Sequence, residues 1–191
     1  MIMTPVPTLL DTLRQATRHS HQQLDRHPVL ACLPRPSLNL TQYGHALAAL
    51  HGVHAAMEAS LEAQPPWPDF AQCFPPRRAA LAQDLAELGI IPPPLTLALP
   101  PLHTAGAWLG RLYVLEGSAL GGKMIALQIQ RHGLAAPLRF FSSAASPERW
   151  PCLRERASRL PASEAPHAIA AAQHTFALYH RHLDTCLPQA R

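Results

Sequence analysis

Apolar positions along this 191-residue chain recur at steps of three and four, the spacing of helices that each bury one face. Leu10, Leu13, Thr17, His21 and Leu24 form one such stripe over residues 8–26, closed by Pro28 and a turn region at 32–37. Leu40, Tyr43, Leu47, Leu50, His54, Met57 and Leu61 form a second over 39–64, with Asn39 or Thr41 suited to cap it and PPWPDF (65–70) breaking it. A shorter helix is predicted over 77–88, ended by Gly89. Residues 90–101, IIPPPLTLALPP, hold too many prolines for a helix throughout and read as an extended crossing segment. The longest pattern covers 103–132 and stops at Gly133. After a loop through 139–145, a helix is expected from about Ser146 to Pro161, with Pro147 in its first turn. A last one spans 163–186, with Ile169, Ala172, Phe176, Tyr179 and Leu183 inward. No stretch alternates with period two long enough to be a strand, and the 21 prolines sit mainly between helices. The expectation is a single all-α domain over residues 1–191, without internal repeat or linker.

Composition narrows the class. Apolar residues are 48% and charged residues 15%, ordinary for a globular domain. No apolar run reaches the roughly 18 residues of a membrane span, so no membrane association is expected. The N-terminal stretch lacks a basic n-region, so no signal peptide is expected. Cys32, Cys73, Cys152 and Cys186 form no CxxC pair, which argues against a cysteine zinc site or disulfide framework and fits a reducing cytoplasm. The formal charge of +4 comes from scattered arginines without interleaved aromatics, which speaks against nucleic acid and suits a small acidic ligand or an acidic redox partner. The 12 histidines by number alone identify no metal site.

One stretch needs a reason of its own. In YVLEGSALGGKMIALQIQ (113–130), Gly117, Gly121 and Gly122 interrupt an apolar helix, and each glycine costs roughly 1 kcal/mol against alanine. Gly117 and Gly121 are four apart and share a face, which Gly122 adjoins. A face without side chains lets a neighbouring helix approach, lets the helix bend, or lets something flat lie on the backbone.

His21 stands on the predicted buried stripe of the first helix among leucines, and a buried imidazole must find a partner or a metal. Taken alone it reads as a core histidine satisfied by a carbonyl, as does His54. Arg18 and Arg14, one and two turns back, lie on or beside its face. A ligand with a metal centre and carboxylates at its edge would meet an axial ligand and two cations in that order, and heme is such a ligand. The glycine helix would cover the opposite side, departing there from regular helix to free a carbonyl or amide, with the Ser118 hydroxyl beside it.

LRQATRHSHQQLD (13–25) resembles the proximal helix of heme oxygenases, and YVLEGSALGGKMI (113–125) resembles the distal helix of their bacterial members, including those that accompany bacteriophytochromes. The order and separation of the two motifs also match. The resemblance implies His21 as axial iron ligand and Gly117, Gly121 and Gly122 as the distal glycines. It places Arg14, Arg18 and Tyr113 near the propionates, and Arg154 loosely on a distal-side arginine. Ser118 departs from the better-known pattern, which has an aspartate there to organise water near bound O2. The implied activity is oxidative cleavage of heme to biliverdin, carbon monoxide and ferrous iron, using O2. No dinucleotide fingerprint is visible, so the electrons would come from an external reductase or ferredoxin. A bacteriophytochrome receiving biliverdin is the further partner implied, and a monomer is expected.

Ser118 also leaves room for a heme-binding protein that stores or delivers heme without degrading it. A non-heme enzyme on the same helical architecture, of the thiaminase or cofactor-biosynthesis kind, would need a carboxylate and cysteine site in its cavity, and none is evident. A purely structural helical protein would leave the pairing of His21 with the glycines unexplained.

Overall fold

The computed structural model describes residues 7–63, 65–92, 97, 99–143 and 148–187. Its regular structure among those residues is helical: α1 (Leu9–Asp25), α2 (Leu40–Ala63), α3 (Phe70–Cys73), α4 (Arg78–Glu87), α5 (Ala105–Arg131), α6 (Arg139–Ser142), α7 (Arg149–Arg159) and α8 (Ala165–Thr185), with a 3-10 turn at Ala162–Glu164. The all-α expectation holds.

Local chemistry explains the boundaries. Thr8 and Asp11 cap α1 reciprocally: the Asp11 N–H donates to Thr8 Oγ1 at 3.2 Å and the Thr8 N–H to Asp11 Oδ2 at 3.0 Å. Asn39 and Gln42 do the same for α2, and Thr104 caps α5 through the Ala107 N–H at 3.0 Å. Gly89 and Gly133 follow α4 and α5 with φ of 69° and 71°, a conformation that other residues adopt only with strain.

Three differences from the expected elements follow from short-range packing. Phe70 turns inward and nucleates the one-turn α3 inside a segment that reads as a break. Phe140 and Phe141 likewise bury themselves as α6, in what reads as loop. The helix expected from Ser146 begins at Arg149; Ser146 and Pro147 lie outside the described residues, as does much of the extended segment at 90–101.

α8 is the spine of the fold. Gly106 lies against Glu164, in the 3-10 turn that leads into α8, and Gly110 against Ala168 of α8; any Cβ would collide with backbone at both, so α5 approaches α8 closely and runs in the same direction. Trp108, Leu109 and Leu112 of α5 share a core cluster with Ala168, Ala172 and Phe176 of α8. α1 packs on another side of α8, also parallel: Gln173 donates to the Ala16 carbonyl, His21 meets Phe176, and His27 meets His180 and Asp184. α1 and α5 touch each other far less than either touches α8.

Candidate functional site

The register along α8 brings the two sequence motifs level. Gly117 is seven residues beyond Gly110, and Thr175 is seven beyond Ala168, which Gly110 touches. At the common 1.5 Å rise, Gly117 therefore comes level with Thr175, next to the Phe176 that contacts His21. Tyr113, one turn before Gly117, lies against Thr17, one turn before His21. This register puts α1 and α5 on either side of the same stretch of α8, and the space between His21 and the glycines is the candidate cleft.

On the α1 wall, Leu10, Leu13 and Thr17 are buried, but His21 is not: its side chain is 57% exposed. This corrects the reading of His21 as a member of the buried stripe. Leu24 returns to the core, and His21, between Thr17 and Leu24, touches α8 through the edge of Phe176. His21 Nδ1 is 2.9 Å from Asp25 Oδ2, and its ring meets Phe176 edge-on at 6.0 Å between centroids. With Asp25 beside Nδ1, Nε2 is the ring nitrogen left without a partner among the described residues. The sequence reading missed Asp25, although its i, i+4 spacing from His21 was visible. Arg14 and Arg18 are exposed on the same helix. Half-burial raises the Tyr113 hydroxyl above its ordinary pKa, while a hydrogen bond from Thr17 and the Arg14 charge oppose the rise.

On the α5 wall, a Cβ at Gly117 or at Gly121 would meet nothing within 4 Å. Leu120, Met124 and Leu127 stand beside this bare strip with 50%, 57% and 39% of their surface exposed. A helix with an apolar, side-chain-poor face left uncovered, opposite a free imidazole and two cations, fits a flat apolar ligand with anionic edges. Gly122 is turned the other way: it is buried, and a Cβ there would meet the Phe141 ring at 3.0 Å. Its work is to admit α6. The expected departure from regular helix is also absent, since α5 runs as continuous α-helix through all three glycines.

Beneath the bare strip lies a buried polar network that the sequence reading left out. Ser118 donates to the Leu115 carbonyl at 2.7 Å and accepts from Arg77 Nη2 at 3.0 Å. The same Arg77 nitrogen is 3.0 Å from the Leu115 carbonyl. Glu58 accepts the backbone N–H groups of Arg77 and Arg78 at 2.7 and 2.9 Å and lies 2.9 Å from His54 Nε2. Tyr179 reaches His54 Nδ1 at 3.0 Å. Burial would raise the Glu58 carboxyl, but the imidazole bond and the two backbone donors outweigh it and hold Glu58 down to about 2. Burial, then the Arg77 charge, lowers His54, and the Glu58 carboxylate opposes this; facing that carboxylate, Nε2 is the donor, and Nδ1 meets the Tyr179 hydroxyl. His54 is thus a satisfied core histidine, as expected.

Glu116 points away from the cleft and is paired bidentately with Arg149, at 2.7 and 2.6 Å, with both side chains buried. Arg149 also holds the Pro75 carbonyl at 2.8 Å, which fixes the approach to Arg77. Arg154 is exposed on α7 and makes no hydrogen bond or ion pair with the described residues. No helix among the described residues is long and apolar enough to cross a membrane.

Comparison with known proteins agrees with this geometry. The heme oxygenase family model matches residues 7–90. A heme oxygenase of Xanthomonas campestris pv. campestris is 40% identical over 119 residues, which are 58% of this chain and 67% of that protein. The NO- and CO-bound heme oxygenase of Neisseria meningitidis superposes with a TM-score of 0.73 at 24% identity, over 97% of this chain and 96% of that one. The heme oxygenase of Leptospira interrogans does so with a TM-score of 0.69 at 17% identity, over 94% of this chain and 100% of that one. With α1 and its histidine inside the matched span and the whole fold shared, this chain belongs to the heme oxygenase family.

Proposed function

We propose that this protein degrades heme with O2, releasing biliverdin, carbon monoxide and ferrous iron, with electrons delivered by a separate redox protein. The observation that carries the reading is the uncovered face at Gly117 and Gly121 of α5, and an exposed His21 beside Asp25 on α1 supports it. Heme, the substrate, supplies the iron that takes up O2. His21 Nε2 would hold that iron from α1, with Asp25 orienting the ring. Arg14, Arg18 and Tyr113 would anchor the propionates. The backbone at Gly117 and Gly121 would leave room for O2 and little else, and so steer it toward the porphyrin edge.

Ser118 has its proton committed to the Leu115 carbonyl and one lone pair to Arg77. Its remaining capacity is to accept from a water in the cleft, which leaves that water's other proton free for bound oxygen. Arg77 and Ser118 together would thus do by water what a carboxylate does in the better-known pattern. The net charge of +4 suits docking of an acidic electron donor.

The test is a hemin titration followed by single turnover with an electron donor and O2, recording the biliverdin band and trapped carbon monoxide. A 1:1 complex with histidine-ligated absorption that yields both products is expected, and His21→Ala should lose the normal axial bond. Protein that holds heme through His21 but yields neither product with several donors is a heme carrier instead.

A further inference from the structure

Beyond the cleft, at the far end of α1, three metal-ligating side chains converge. His27 follows the helix in a hydrogen-bonded turn, where its N–H reaches the Leu24 carbonyl at 3.0 Å and its carbonyl accepts from Leu30 and Ala31 at 2.9 and 2.8 Å. Its side chain is 2% exposed. His180 and Asp184 are one turn apart on α8 and so share a face. One ligand atom from each of the three residues lies within 4.8 Å of the others. His27 Nε2 is 3.2 Å from Asp184 Oδ1, close to the roughly 3.3 Å edge of a tetrahedron with metal bonds of about 2.0–2.1 Å. The two imidazoles meet at 5.4 Å, nearly perpendicular.

One atom in this cluster is unexplained. His180 Nε2 is buried and finds no hydrogen-bond partner among the described residues. A buried imidazole nitrogen without a partner calls for a water or an ion. The donor set decides between them: two imidazoles and a carboxylate with open positions is what first-row transition ions take, while magnesium and calcium prefer oxygen throughout.

We propose that His27, His180 and Asp184 form a binding site for a divalent first-row transition-metal ion such as Zn2+, Co2+ or Fe2+, which ties the end of α1 to α8. The metal-free tautomer is fixed by structure: His27 Nδ1 accepts the Val29 N–H at 3.3 Å, so the ring proton sits on Nε2 and goes to Asp184. Metal at Nε2 displaces that proton. The ring then becomes Nδ1–H, and the long Val29 contact opens. This tautomer change belongs to the site alone and is independent of heme.

The experiment uses heme-free, tag-free full-length protein titrated with Zn2+ by calorimetry and with Co2+ by visible absorption, with thermal melting in parallel. One equivalent is expected to bind, to raise Tm, and to move the His27 proton from Nε2 to Nδ1 in nitrogen NMR. His180→Ala and Asp184→Asn should each weaken binding by at least about tenfold, the loss that even outer-shell changes bring. Asp184→Asn keeps an acceptor for His27, so it remains readable should His180→Ala fold poorly. His19→Ala, an exposed histidine of α1, should change nothing. Absence of binding, or binding that survives both site variants and comes from scattered histidines, overturns the proposal.

Discussion

Asp25 lies one turn beyond His21 on α1, with its Oδ2 2.9 Å from His21 Nδ1. Both side chains are more than half exposed, so the pair adds at most a few tenths of a kcal/mol to stability. Its effect is on the direction in which the ring is held. Asp25→Asn should leave Tm unchanged and still bind heme. The iron–histidine stretching frequency should fall, because an amide acceptor leaves the imidazole less electron-rich. Resonance Raman of the ferrous complex reads this directly, and an unchanged frequency would remove Asp25 from the site.

The glycines of α5 should separate into two classes. Gly121→Leu meets open space, so the heme-free protein should gain up to about 1 kcal/mol from better helix propensity. The same variant should keep heme and lose product, since the side chain enters the space above the substrate. Gly110→Leu would collide with Ala168 backbone and should lose about 1–3 kcal/mol or fail to fold. Melting curves of the two variants, with product formation for the first, check the division.

Acid should unfold the protein through the network under the glycine strip. His54 is lowered from 6.5 by burial, and Glu58 lies at about 2 against an ordinary 4.5. In both cases the unfolded chain binds more protons, so stability rises with pH. The contribution of His54 is lost as pH falls below about 6.5. That of Glu58, of order 3 kcal/mol, is complete above about 4.5 and lost as pH falls toward 2. Glu58→Gln should flatten the lower part of the curve of Tm against pH, and it also removes the carboxylate that opposes the lowering of His54.

Arg149→Met strands the Glu116 carboxylate in the core and should cost about 3–5 kcal/mol. Adding Glu116→Leu should restore most of that, because two apolar groups need no partner. Denaturant melts of the single and double variants form the cycle. The double variant should still make product more slowly than the parent, since the Pro75 contact that leads into Arg77 is gone.

Helix positions were legible in the sequence because period and punctuation are local. Caps at Thr8, Asn39 and Thr104 and the turns at Gly89 and Gly133 fall within a residue or two of the expected ends. The exposure of Gly117 and Gly121 on one face of α5 was also legible from their spacing. The sense of burial was not: a position on an apolar stripe faces a partner helix or a ligand cleft with equal ease. Gly122 shows the same limit, since adjacency to Gly121 could not tell that it faces Phe141. The Arg77–Glu58 network was out of reach for a different reason. Its members come from α2, the turn before α4, α5 and α8, and only tertiary packing brings them together.

Each wall of the cleft is fastened to α8 and barely to the other wall. The walls are thus two leaves on a common binding, with Tyr113 against Thr17 among the contacts that join them. A flat ligand entering between them would do so edge-first, without the core unfolding. Substitutions at Ala172 of α8, in the core cluster beneath both walls, should therefore alter the cleft without touching His21 or the glycines.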